Sequence, residues 1–141
     1  MNPEIWGPHY WFVLHTISMN YPKQPNSVAK KKYYDFIQNL PLFIPDQSMG
    51  DHMITLLNKY PVSPYLDSRE SFIKWMHFLH NKVNDYLGKP HVKFDQFMKD
   101  YHANYKPLKE IQEEHFRHTE KLIYLLLISG IVGFIVYFYK K

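Results

Sequence analysis

The sequence contains no cysteine in its 141 residues. This absence excludes disulfide bonds within the chain, catalysis by a thiolate of its own, and zinc held by cysteine sulfur. A dense basic stripe is also lacking: lysines cluster only at Lys30, Lys31 and Lys32, and the formal net charge is +4. We therefore expect no nucleic-acid partner.

Histidine, in contrast, is plentiful, with nine residues. Two pairs have the spacing of neighbours on a helix, His77 with His80 and His115 with His118. Neither pair has a third histidine or a carboxylate at a spacing that would complete a metal site. We therefore predict no metal centre.

Aromatic residues make up 18% of the chain and hydrophobic residues 45%, which is enough apolar material for the core of one domain. Such rings either fill a core or line a site for a flat ligand.

Apolar residues recur at helical spacing in five segments, and no segment alternates as a strand would. Prolines and turn residues separate the segments, and Asp46 stands where it would cap the third helix. The pattern predicts an all-α bundle of four helices plus a short fifth. The helices are expected at about residues 1–20, 27–40, 47–60, 67–87 and 93–101.

A sixth apolar segment, near the C-terminal end of the sequence, differs from these five because it carries no charge. Residues 122–139 read LIYLLLISGIVGFIVYFY, between Lys121 and the terminal Lys140 and Lys141. A buried core helix is one interpretation, but the length and the flanking lysines favour a membrane span. We predict a helical domain over 1–105, a polar stalk over 106–121, a transmembrane helix over 122–139 and a basic tail at 140–141. No signal peptide precedes the domain, so we expect a single-pass C-terminal anchor in membrane lipid.

Two motifs in the helical part are more specific than composition. The first is Trp6-Gly7-x-x-x-Trp11-x-x-Leu14-His15, followed by Tyr21-Pro22. The second, preceded by Ser68-Arg69, is Trp75-x-x-x-x-His80-Asn81-x-Val83-Asn84-x-x-Leu87-Gly88-Lys89-Pro90. In this order and at this spacing, they resemble the signatures of the Erv/ALR flavin-linked sulfhydryl oxidases over about residues 5–102. The resemblance implies a four-helix bundle with a short fifth helix, holding FAD and usually paired as a homodimer.

The resemblance also implies a set of cofactor contacts, with aromatic rings stacking on the flavin or adenine and polar groups meeting ribose and phosphate. These residues are Trp11, His15, Tyr21, Trp75, His80, Asn81, Val83, Asn84 and Lys89. The alternative for the histidines and tryptophans is ordinary core packing.

The family's redox pair, Cys-x-x-Cys after a proline, falls on Pro45-Asp46-Gln47-Ser48-Met49 in this chain. Asp46 and Met49 replace the two cysteines. A carboxylate and a thioether cannot exchange disulfides, although Asp can cap a helix and Met can fill space. We therefore expect no catalytic residue and no enzyme activity, with FAD bound weakly or lost because Asp46 would repel reduced flavin.

Two functions remain open. One is a catalytically inactive, membrane-anchored structural or assembly module in the virion of a large DNA virus, at an internal virion membrane or a membrane derived from host ER. It would pair as a homodimer or with other virion proteins. The alternative is an FAD-dependent thiol oxidase that acts with cysteines supplied by a partner.

Overall fold

The structure, a computed structural model, describes residues 1–106 and 108–139. All regular elements among them are helical, which confirms the all-α prediction. Met1–Lys99 forms one compact unit, and the residues after it form a second. The α-helices are α1 (Pro3–Met19), α2 (Ser27–Asn39), α3 (Gln47–Lys59), α4 (Arg69–Tyr86), α5 (Phe94–Ala103) and α6 (Leu108–Tyr139), with 3-10 turns at Leu40–Phe43 and Ser63–Tyr65.

The first four helices each begin with a side chain that accepts a backbone N–H. The capping residues are Asn2, Asn26, Asp46 and Ser68. Each such cap stabilises a helix by about 1 kcal/mol, because it pairs a donor that the helix itself leaves free. The predicted cap at Asp46 is confirmed.

The core of the first unit is built on the packing of α1 against α4. Tyr21, just after α1, is fully buried, and its hydroxyl donates to the carbonyl of Leu66 at 2.8 Å. Arg69 donates from Nε to the carbonyl of Tyr21, so the end of α1 is tied to the start of α4. Around these bonds lie further side chains without solvent exposure: Ile37, Val62, Phe72, Met76 and Leu79.

A close approach of backbones positions α3 beside the 3-10 turn. A Cβ atom at Gly50 would lie 3.1 Å from the carbonyl oxygen of Pro41, which is tighter than ordinary contact. Gly50 therefore lets the turn at Leu40–Phe43 lie directly against the first turn of α3.

The second unit contains α6, which is continuous from Leu108 to Tyr139. The predicted boundary between the polar stalk and the transmembrane helix, at residues 121–122, lies inside α6. The helix continues through it because backbone hydrogen bonding does not depend on the polarity of the side chains. By length and composition alone, the part of α6 from Thr119 to Tyr137 could cross a membrane. The predicted basic tail at 140–141 lies outside the described residues.

Removing residues 120–141 should convert the protein from a membrane-bound to a soluble form, because the apolar part of α6 then no longer enters lipid. Fractionation of cells that produce either form, followed by alkaline carbonate extraction of the membranes, measures this directly. The full chain should remain in the pellet, and its release into the supernatant would contradict a spanning helix.

Candidate functional site

The start of α3 carries the two residues that replace the predicted redox pair. The Asp46 carboxylate accepts a hydrogen bond from the backbone N–H of Met49 at 2.9 Å. Met49 itself is 3% exposed and points into the protein. Asp46 is thus part of the helix cap, and Met49 is part of the interior.

Met49 lines a narrow apolar slot formed by α1, the 3-10 turn at Leu40–Phe43, α3 and the end of α4. The empty space between its lining residues is about 430 Å³, a volume that includes space open to solvent. Trp11 and Val83, two of the predicted cofactor residues, line the same slot. Its full lining is Pro3, Trp6, Gly7, Tyr10, Trp11, Leu14, Leu40, Ile44, Met49, Met53, Val83 and Leu87. Such a slot suits a flat, largely apolar ring system.

Three of the predicted residues, Trp11, His15 and His80, form one aromatic cluster. The Trp11 and His80 rings are stacked, with centroids 4.0 Å apart and 11° between planes. His15 Nε2 and His80 Nδ1 lie 3.0 Å apart, so one of the two nitrogens donates and the other accepts. The sequence placed these residues in one site, and the structure brings them into contact.

Both histidines of the cluster are held neutral. Burial lowers the pKa of His15 from 6.5 to about 3, and His80 and His77 add to the shift. Burial likewise lowers the pKa of His80 to about 4, with contributions from His77 and Lys89. Near neutral pH the pair is therefore uncharged and can offer hydrogen bonds without repelling a cation or attracting an anion.

Two buried polar atoms near the predicted site have no hydrogen-bond partner among the described residues: Trp6 Nε1, in the lining of the slot, and His15 Nδ1, in the aromatic cluster. Buried polar groups in folded proteins are nearly always paired, so an unpaired one indicates either a cost or an absent ligand. The Trp6 donor fits a flavin, whose ring system is flat and carries acceptor atoms at its edge.

The polar residues at the end of α4 are placed differently from one another. Asn81 clamps Val92 through its amide, donating to the carbonyl and accepting from the N–H, both at 3.0 Å. Asn84 is 7% exposed, and its backbone carbonyl accepts from the Lys89 N–H at 2.9 Å. Gly88, at φ 66°, makes this turn possible, and Lys89 itself is exposed. Of the three, only Lys89 is exposed, and its contact with phosphate stays a prediction, while Asn81 already holds the chain after α4.

Tyr21 and Trp75 do not line the slot. Tyr21 belongs to the core described above, and Trp75 is 2% exposed and donates from Nε1 to the carbonyl of Tyr60 at 3.2 Å. Their cofactor contacts stay a prediction.

Sequence reasoning missed Trp6 and Tyr10 as lining residues. Their rings meet edge to face at 5.1 Å, and the Tyr10 hydroxyl donates to the carbonyl of Phe43 at 2.8 Å. The available signal was helical spacing, because Trp6, Tyr10 and Leu14 recur at every fourth residue and share one face of α1.

Comparison with known proteins gives a consistent family. Residues 8–102 match the Erv1 / Alr family. The chain is 32% identical over 111 residues to a probable FAD-linked sulfhydryl oxidase of Acanthamoeba polyphaga mimivirus, covering 78% of each chain. It is 37% identical over 84 residues to the mitochondrial FAD-linked sulfhydryl oxidase erv1 of Schizosaccharomyces pombe, covering 60% of this chain but only 46% of that protein.

The fold agrees with these relatives. The FAD binding domain of Erv1 from Saccharomyces cerevisiae superimposes with a TM-score of 0.65 at 28% identity, covering 72% of this chain and 94% of that one. FAD as the cofactor is supported by this likeness and by the FAD-linked relatives.

The prediction that the chain is not an enzyme is wrong. Its relatives are FAD-linked sulfhydryl oxidases, and the family match spans the segment in which Asp46 and Met49 stand. The absence of two sulfur atoms from this polypeptide does not by itself remove the reaction, because another polypeptide can bring thiols to the site.

The buried histidines should make the protein sensitive to acid. In the unfolded chain His15 binds a proton as the pH falls below about 6.5, whereas in the folded protein it binds one only near its lowered pKa of about 3. The contribution of His15 to the free energy of unfolding is therefore fully present above the unfolded pKa. It decreases by about 2 kcal/mol between about pH 7 and pH 5. Urea unfolding at both pH values should show that His15→Gln reduces the pH dependence of stability, with His80 retaining a part of it, while the control His9→Gln, at an exposed position, leaves the dependence unchanged. Equal losses in wild type and His15→Gln would contradict the assignment.

Proposed function

Because the chain belongs to the Erv1 / Alr family, we propose that it is an FAD-linked thiol oxidase that acts on a dithiol carried by another polypeptide. Family membership supports the flavin chemistry. With no cysteine in the sequence, the thiols must come from elsewhere. A second copy of this chain would bring no cysteine either, so the dithiol partner is a different protein.

The observation that carries the proposal is the position of Met49. It lines the same slot as Trp11, at the place where the family resemblance puts the second cysteine of the redox pair. A thioether there cannot form a disulfide, but it fills space and packs favourably against an aromatic ring. The chain thus keeps a wall for a flat cofactor without a thiol of its own.

The overall reaction converts one dithiol and one molecule of oxygen into one disulfide and one molecule of hydrogen peroxide. Two electrons and two protons leave the dithiol as the S–S bond forms. FAD, when bound, supplies the acceptor through which these electrons reach oxygen. The sulfur chemistry itself lies with the partner.

The chain's own residues bind and orient. Trp11 and His80 offer stacked ring faces, and His15 and His80 remain neutral near pH 7 because burial lowers each pKa. Exposed Lys89 suits the pyrophosphate of a dinucleotide. The Asp46 carboxylate disfavours an approaching thiolate, by up to a few kcal/mol at a few ångströms and intermediate dielectric. A partner dithiol should therefore approach in its protonated form or pass to the side of Asp46.

The surface next to the start of α3 suits contact with a partner. Leu42 and Phe43 are 77% and 66% exposed, although both are apolar. The Tyr10 hydroxyl fixes the carbonyl of Phe43, so the 3-10 turn is tied to the wall of the slot. An apolar partner surface that covers this turn would be held beside Met49.

The setting that we propose is a membrane of a large DNA virus or of its host cell. The apolar part of α6 supports an anchor, and the mimivirus relative supports a viral origin. We propose an internal virion membrane or a membrane derived from host ER, with the chain paired as a homodimer or joined to other virion proteins.

The full chain should bind FAD when it is expressed or refolded with the cofactor. The visible absorption band of bound flavin, measured after removal of free FAD by gel filtration, tests this. We expect partial occupancy. The Asp46 carboxylate should weaken binding mainly of reduced, anionic flavin, since the oxidised ring is neutral. A flat visible spectrum from protein that is still helical by circular dichroism would contradict the proposal.

The FAD-loaded protein should oxidise a reduced test protein with an exposed Cys-x-x-Cys faster than free FAD does. Hydrogen peroxide release and disulfide formation are measured together, and the alkylated test protein is the control. No rate above free flavin would contradict the proposal.

Restoring both sulfurs, as Asp46→Cys with Met49→Cys, should raise the rate about tenfold or more, because the dithiol becomes part of the same molecule. The single variants Asp46→Cys and Met49→Cys are matched controls, since one thiol cannot form the internal disulfide. A double variant no faster than the singles would show that these positions do not face the flavin.

A further inference from the structure

Trp6 stands in the first turns of α1, with its indole ring edge-on to Tyr10. The ring lines the slot that also contains Met49. Its Nε1 atom is buried and has no hydrogen-bond partner among the described residues. An indole N–H can only donate, so this group needs an acceptor that the surrounding side chains do not provide.

Two comparable side-chain donors, one in the slot and one in the core, have partners. The Tyr10 hydroxyl, on the same helix and lining the same slot, donates to the carbonyl of Phe43. The Trp75 indole donates to the carbonyl of Tyr60. The chain therefore pairs comparable groups elsewhere, and the unpaired donor lies in the wall of a cavity.

We propose that the Trp6 indole N–H donates a hydrogen bond to an acceptor atom at the edge of a flat heteroaromatic ring in the slot. This inference rests on the proposed function, in which that ring is the isoalloxazine of FAD. The rest of the lining is largely apolar and recognises flatness and size. Trp6 adds a requirement for an edge acceptor, and so selects a flavin over an apolar ring of similar shape.

The same hydrogen bond would affect the electron affinity of the bound flavin. A donor interacts more strongly with an acceptor that carries negative charge than with a neutral one. Reduction places electron density on the flavin edge, so the Trp6 N–H stabilises the reduced form more than the oxidised form. Its loss should lower the reduction potential of the bound flavin.

Indole N–H resonances give a direct test, because the chain has only three tryptophans. The full chain is labelled with ¹⁵N, studied in detergent micelles with and without FAD, and its indole resonances are assigned through bonds. The Trp6 resonance should move downfield when FAD binds, since a free donor gains an acceptor. The Trp75 resonance, already hydrogen-bonded, serves as the internal control.

The variant Trp6→Phe keeps a ring but removes the donor. Its FAD dissociation constant should rise by about 3- to 10-fold, the usual effect of one hydrogen bond, and the potential of the bound flavin should fall. Tyr34→Phe is the control: it removes the hydroxyl of a 40% exposed tyrosine that does not line the slot, so it should change FAD affinity less than about twofold.

The role of Trp6 and the proposed function can be contradicted separately. If FAD binds while the Trp6 resonance stays in place, or if Trp6→Phe binds FAD as the wild type does, the role of Trp6 is overturned and the proposed function stands. If the folded wild type binds no FAD, both are overturned. If Trp6→Phe does not fold, the wild-type resonance decides the matter.

Discussion

The packing of α1 against α4 is the constraint on which the candidate site depends. Tyr21 sets it, because this buried residue is bound through its hydroxyl to Leu66 and through its carbonyl to Arg69. With the end of α1 fixed in this way, His15 faces His80 across the helix pair. Residues before His15 on α1, among them Trp11 and Trp6, then form one wall of the slot. A predicted cofactor residue thus lies in the core and positions the others.

Much of the fold could be predicted from the sequence, because each helix of the first unit carries local signals. Asp46 follows a proline and precedes an apolar helical pattern, and it forms the expected cap. The boundary within α6 could not be predicted in this way. Hydropathy detects where side chains become apolar, whereas a helix continues as long as its backbone bonds do.

The site was predictable only in part, because a motif gives residue types and spacing but not partners across helices. Trp11 and His15 on α1 meet His80 on α4, and the predicted contacts of all three with a cofactor stay a prediction. Asn81 has a polar amide that the resemblance assigns to the cofactor, yet the chain uses it to hold Val92. Trp6 could not be chosen over other tryptophans, since only the folded chain shows that its N–H lacks an acceptor.

The His15–His80 pair can present the buried His15 Nδ1 atom either as a hydrogen-bond donor or as an acceptor. If His15 donates from Nε2, its buried Nδ1 is a bare acceptor; if His80 donates instead, the same Nδ1 carries a hydrogen and becomes a donor. Because both rings stay neutral near pH 7, the exchange is one of tautomers and adds no net charge. The buried pair can therefore adjust to either polarity of an arriving atom by relocating protons alone, with every heavy atom left where it is.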